Sequence, residues 1–305
     1  MMASAFQVPG GIFLALMFRY RVERMIPSSV ERPQDPQDER RICCLCGGRA
    51  FELVHQWAVD HPRNPCPIPL AVWQCGCGLA FLHPLPTAGQ LPDGGDWWSP
   101  HRNVIRRRPV LKKIQAKLQN ALIGSDLELF VRATTRLAGT GRLLDVGCGD
   151  GTLLQLASSR LQGCGLEPSP EAAGRAQQSG FEIITETIEQ AQLPSARFDV
   201  ITMYAVIEHL EDPVRVVHKL ARATKVGGIL AVCTPKYRGP TWLLRGSGWN
   251  GYRVGYHTYF FTAATLDKVM TTAGFEVLRS PRRNRPFDDI LILWGRKTEP
   301  SVAAH

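Results

Sequence analysis

Asp145, Gly147 and Gly149 sit in the run Leu143-Leu144-Asp145-Val146-Gly147-Cys148-Gly149-Asp150-Gly151. Apolar residues lead into an acid, and the chain then breaks into a glycine loop. An apolar stretch, Leu153-Leu154-Gln155-Leu156-Ala157, follows at once. That order predicts a strand, a tight turn and a helix N-terminus, which together cradle a nucleotide-like ligand. Glycines there let the backbone approach the ligand closely and adopt positive φ.

The details narrow the ligand. A dinucleotide loop reads G-x-G-x-x-G. Here Thr152 stands where the third glycine belongs. Asp145 would face a pyrophosphate with like charge, which is costly where water is scarce. It suits a ligand with cationic groups. S-adenosylmethionine (SAM) has two, an ammonium and a sulfonium, and no phosphate. The loop amides and helix N-terminus would take its carboxylate. Gly163-Cys164-Gly165-Leu166-Glu167 reads as a second strand ending in an acid. Such an acid can bind ribose hydroxyls, in NAD and SAM alike.

These residues resemble the class I SAM-dependent methyltransferases. The resemblance continues through Phe198 to Pro213, Gly227 to Pro235, His257 to Thr262 and Thr272 to Val277, spanning most of 141–296. It implies that Thr187 and Ile188, after the third strand, border the adenine. Met203 and Tyr204 end the fourth strand, where the methionine arm should pass, because ligands sit at strand carboxyl ends. With Asp145, Gly147, Gly149 and Glu167 they form the expected cofactor set. Transfer from a sulfonium needs alignment and exclusion of water. It needs a base only when the acceptor must lose a proton. His209 and His257 are the candidate bases, since histidine titrates near neutrality; each also reads as a polar contact beside the pocket. The aromatic and arginine-rich segment 236–256, with Arg253, suits a planar or anionic acceptor or a packed lid.

Cysteines gather elsewhere. Cys43-Cys44-Leu45-Cys46 holds a C-x-x-C and Cys75-Gly76-Cys77 a C-x-C. Two such knuckles can give four thiolates to a structural Zn²⁺. The pattern resembles a zinc-binding segment that precedes some methyltransferase domains, sugar C-methyltransferases among them. It departs from two C-x-x-C knuckles, with Gln74 in place of a cysteine. Cys44, Cys66, His55 and His61 are spare candidates, and the alternative is a metal-free ribbon packed around Trp73, Phe81 and Leu82.

The surrounding pattern must position these groups. Strands are expected near 142–146, 161–166, 181–184, 198–203 and 228–233. Helices are expected near 126–137, 151–159, 169–179, 212–224 and 263–273. This alternation predicts an α/β fold, a Rossmann-like seven-stranded sheet with helices on both faces. Residues 276–278 and 289–294 read as a closing antiparallel pair. Before it come a tail at 1–41, a small cysteine-rich segment at 42–100 and a basic helical connector at 101–140. The SAM-binding domain is expected over 141–297.

Composition adds bounds. The 305 residues carry a formal charge of +9, which reads either as a basic surface or as an invitation to an acidic partner. The apolar run from Phe13 to Phe18 is shorter than the roughly 20 residues a bilayer span needs. Neither a span nor a signal peptide is expected, and Met25 is an alternative start. Nine cysteines without a secretory signal point to a reducing, cytoplasmic setting. The expected function is methyl transfer to a small-molecule acceptor. A sugar or nucleotide-linked sugar is the first choice and a quinone-type or other hydroxylated acceptor the second. The rivals are an NAD(P)-dependent oxidoreductase, a SAM fold without catalysis and a zinc-ribbon protein contacting nucleic acid through 102–117. The apolar stripe Val110, Ile114, Leu118 and Leu122 disfavours the nucleic-acid reading, because it suits docking on protein.

Overall fold

The computed structural model describes residues 35–36, 41–61, 64–85, 126–252, 256–278 and 289–299. Residues 101–125 of the basic connector expected at 101–140 lie outside the described residues, as do 86–100 of the cysteine-rich segment, residues 279–288 and most of the tail.

The main sheet has seven strands. β4 (Gly141–Val146), β5 (Leu161–Leu166), β6 (Glu182–Ile184), β7 (Phe198–Tyr204) and β8 (Thr224–Pro235) run parallel to one another. β10 (Phe275–Leu278) and β11 (Ile290–Lys297) close the sheet as an antiparallel pair, with β11 antiparallel to β8. The order is β10-β11-β8-β7-β4-β5-β6. The expected Rossmann-like α/β architecture is therefore present.

Both faces of this sheet are covered, so its central strands are apolar throughout rather than alternating. Along β7, Val200 packs into one core, while Ile201 and Met203 pack into the other. Along β8, Ile229, Ala231 and Cys233 face one way, Leu230 and Val232 the other. The core of Ile201 and Met203 takes α4 (Pro213–Ala223) and α6 (Ala263–Thr272). The core of Val200 takes α1 (Asp126–Ala138) and α2 (Thr152–Ala157). Helix starts are set locally. In α3 (Pro170–Gln178), the Ser169 side chain accepts from Ala172 N–H with Pro170 in the first turn. In α4, Asp212 accepts from Arg215 N–H and Pro213 opens the helix. Both arrangements satisfy an orphan amide and preset φ.

The cysteine-rich segment forms a second sheet. β1 (Phe51–His61) and β2 (Asn64–Cys75) make an antiparallel hairpin, and β3 (Ala80–His83) extends it. Its fourth strand comes from much later in the chain: β9 (Tyr259–Phe260) pairs with β3 through Phe81↔Tyr259 and Ala80↔Phe260. Phe51, Trp73 and Phe81 then share one core with Ile207, Leu210 and Phe261. The second sheet is thus packed onto the first rather than tethered beside it.

Candidate functional site

The glycine loop follows β4 as expected. Gly147, Gly149 and Gly151 have φ of +71°, +56° and +84°, values that side chains other than glycine's rarely adopt. A Cβ on Gly147 would lie 2.5 Å from Val206 Cγ2, so its lack of a side chain is also a packing requirement. Gly147 N–H donates to Leu166 O at 2.7 Å, which ties the loop to the end of β5.

Two buried carboxylates flank the loop. Asp145 is 2% exposed and accepts from Thr202 Oγ1 at 2.7 Å. Burial pushes its pKa up to about 7, with the neighbouring Glu167 charge adding to the rise and the Thr202 bond opposing it. Glu167 accepts from Gly149 N–H and Ser169 N–H, both at 2.9 Å. It holds the loop and the start of α3 together, and burial raises its pKa too. A carboxylate has about four acceptor positions, and these two bonds use part of that capacity.

A cavity of about 470 Å³ opens at the carboxyl ends of β4 and β5, within the roughly 300–1,000 Å³ usual for small-molecule sites. Gly147, Thr187, Ile188 and His209 are on its wall. Lys219 Nζ fixes that side by donating to Ile188 O at 2.7 Å and Glu189 O at 3.0 Å. Asp145, Gly149, Glu167, Met203 and Tyr204 are not on the wall. Met203 is wholly buried in the core, and Tyr204 packs edge-on against Phe130 at 5.3 Å. The glycine cradle and the cavity size fit SAM, with the two buried acids lying behind the wall.

His209 and His257 come together, with ring centroids 4.7 Å apart and planes at 84°. His209 Nδ1–H donates to Tyr256 O at 2.9 Å, and His257 Nδ1–H donates to Gly251 O at 2.7 Å. A carbonyl can only accept, so each neutral ring carries its basic lone pair on Nε2. His209 reaches the cavity; His257 is buried behind it. Beside them Glu208 is buried and accepts from Thr234 Oγ1 at 2.9 Å. Thr202, Thr234 and Lys219 were not singled out from sequence. For the two threonines the available signal was a polar residue inside an apolar stretch of β7 or β8; Lys219, on α4, carried none. Arg253 lies outside the described residues.

The four expected cysteines also converge. Cys43 and Cys77 Sγ are 3.7 Å apart, and Cys46 and Cys75 Sγ are 3.5 Å apart. All four sulfurs lie within 4.8 Å of one another. Tetrahedral Zn–S bonds of about 2.3 Å imply S···S edges of about 3.8 Å, so the donor set fits zinc. Gly47 and Gly78, at φ +70° and +93°, turn the two knuckles. Burial pushes the Cys43 thiol up. Burial also works to raise Cys46, but the Gly48 amide and neighbouring thiols outweigh it and hold that pKa down. Of the spare candidates, Cys44 instead donates to Tyr259 OH at 3.8 Å. His55 is edge-on to the Tyr252 ring at 5.5 Å.

Comparison with known proteins gives a consistent picture. A probable SAM-dependent methyltransferase of Mycolicibacterium smegmatis is 30% identical over 152 residues, covering 49% of this chain and 57% of that protein. The ubiquinone biosynthesis O-methyltransferase of Salmonella typhimurium is 35% identical over 113 residues, covering 34% of this chain and 46% of the relative. The chain thus spans about half the length of these curated relatives. A SAM-dependent methyltransferase of Thermotoga maritima, described as a possible histamine N-methyltransferase, has a solved structure. It gives a TM-score of 0.48 at 22% identity, covering 61% of this chain and 96% of that one. The family model described as a methyltransferase domain matches residues 114–280. That match takes in more than half of the 305 residues, and it makes the chain a member of the class I SAM-dependent methyltransferases.

Proposed function

We propose that this chain methylates a hydroxyl group of a small-molecule acceptor. The observation that carries the reading is His209, which stands on the cavity wall with Nδ1–H engaged by Tyr256 O. That bond fixes the neutral tautomer with Nε2 as the basic nitrogen. SAM, when bound, supplies an electrophilic methyl group on a cationic sulfur. Asp145, as a carboxylate, favours binding of the cationic methionine end, and Glu167 offers acceptors to ribose. The glycine loop admits the backbone close to the ligand. His209 takes the hydroxyl proton on Nε2 as the acceptor oxygen bonds to the methyl carbon and the carbon–sulfur pair leaves on sulfur. His257 packs against His209 and sets its orientation. Hydroxylated aromatic acceptors fit this role best, because their protons lie within reach of imidazole. The partial likeness to a ubiquinone biosynthesis O-methyltransferase supports the same choice.

Zinc belongs to this reading as a structural ion held by Cys43, Cys46, Cys75 and Cys77. Four protein ligands leave no open position for chemistry.

The test is S-adenosylhomocysteine release with a panel of catechols, hydroxyquinones and nucleotide sugars. His209→Gln should lower turnover about 10²- to 10⁴-fold while leaving SAM affinity within about twofold. Undiminished turnover in that variant would exclude His209 as the base.

A further inference from the structure

Thr258 occupies a junction that neither the glycine loop nor the cysteine cluster explains. It follows His257 directly and precedes β9. Its amide donates to Glu208 O at 2.7 Å. Its hydroxyl lies 3.0 Å from Glu208 O and 2.9 Å from Leu210 O, so its single proton is shared between two carbonyls. Its own carbonyl accepts from Leu82 N–H at 2.8 Å. One residue therefore joins three parts: the 3₁₀ turn Ile207–His209, the segment before β9 that carries His257, and β3 of the cysteine-rich sheet.

The next residue repeats the arrangement. Tyr259 OH donates to Glu211 O at 3.2 Å and pairs with Phe81 across the small sheet. The 3₁₀ turn is only three residues long, too short to fix its own direction. Its orientation must come from such outside contacts.

We propose that Thr258 is a positioning residue that holds the His209–His257 pair in register, and that through it the cysteine-rich sheet forms part of the acceptor half of the site. The glycine-loop side of the donor half does not pass through this junction: Gly147, Gly149 and Glu167 are tied to β5 and α3 by their own bonds. Leu210 and Glu211, which the junction holds, line the far wall of the same cavity. Loss of the Thr258 hydroxyl should therefore disturb the histidines more than it weakens SAM binding. The proposal rests on the methyltransferase reading for its turnover arm alone.

The experiment uses the full chain with Thr258→Val, Thr258→Ser and Tyr259→Phe. Three readouts are taken. Calorimetry gives SAM affinity, imidazole ¹⁵N NMR gives the tautomers of His209 and His257, and S-adenosylhomocysteine release with catechol gives turnover. Thr258→Val should shift both imidazole signatures and lower kcat about 10- to 100-fold, the scale of a small misplacement of a reacting group. SAM affinity should fall by a smaller factor than kcat, and Thr258→Ser should restore the wild-type pattern. Tyr259→Phe should move the same signals less, and it decides the matter if Thr258→Val does not fold. Wild-type imidazole signals in whichever variant folds would overturn the proposal. So would a fall in SAM affinity parallel to the histidine change. If wild-type protein does not methylate catechol, the acceptor reading fails separately and the imidazole signals still decide.

Discussion

The role proposed for the buried Asp145 predicts a pH-dependent SAM affinity with a calculable sign. The unfolded chain loses this proton near 3.8 and the folded chain near 7. Between those values the folded state binds more protons, so the Asp145 contribution to stability falls as pH rises and is flat above about 7. A gap of that size corresponds to about 4 kcal/mol as an upper bound, at 1.36 kcal/mol per unit. Asp145→Asn keeps an oxygen for Thr202 and removes the charge. The ligand-free variant should therefore match wild type near pH 4 and exceed it in stability at pH 8. Binding of a cationic ligand runs the other way. SAM favours the carboxylate and should release a proton below pH 7. Its affinity for wild type should weaken by up to tenfold for each unit below pH 7, about 30-fold by pH 5.5. The amine of SAM, with an ordinary α-amino pKa of about 7.7–8.0, stays charged across that range. At pH 7.5 the variant should bind SAM about 10- to 100-fold more weakly, the scale of a lost charge-assisted contact. Glu167 is raised as well and would add a slope of the same sign to both proteins. The decisive quantity is thus the difference between wild type and variant, measured by calorimetry in buffers of different ionisation enthalpy. Identical pH slopes in the two proteins, or no proton release by wild type at pH 6, would refute the reasoning.

Other consequences can be checked alongside. Gly147→Ala places a Cβ 2.5 Å from Val206 Cγ2 at positive φ; it should destabilise the fold by about 1–3 kcal/mol and weaken SAM binding in calorimetry. Cys75→Ser removes one thiolate from the quartet. Elemental analysis should show loss of zinc, with a fall in Tm of about 5–10 °C if several kcal/mol are withdrawn; unchanged metal content would exclude Cys75 as a ligand. His257→Gln should lower turnover less than His209→Gln, because His257 is buried behind the cavity wall; an equal or larger loss would reverse their roles.

The main sheet was legible because its signals are local and mutually consistent. Apolar runs such as Phe198–Tyr204 have strand length, and Ser169-Pro170 and Asp212-Pro213 announce helix starts. The glycine loop was legible because positive φ restricts residue choice. Long-range pairing left no such mark. Nothing in Tyr259-Phe260 says that it completes a sheet begun at Phe51, since register there is set by partners far away in the chain. Tyr204 and Met203 show the complementary problem. Both end a strand pointing at the cavity, but side chains alternate across a sheet. Met203 enters one core and Tyr204 the other, so neither reaches the wall. The union of His209 and His257 was also invisible as a pair, because it depends on Thr258 holding the turn to β9.

The pairing of β3 with β9 has a temporal meaning. During synthesis the hairpin of β1 and β2 emerges early, but Phe81 must wait for Tyr259 before its edge is covered. An uncovered strand edge invites pairing with other chains. The β3 edge is therefore open to such pairing until β9 has been made. The same dependence bears on dissection by protein engineers. Residues 42–86 expressed alone would lack one strand of their sheet and the core partners Ile207, Leu210 and Phe261, so the cysteine-rich segment is expected to complete its fold only once β9 has been made.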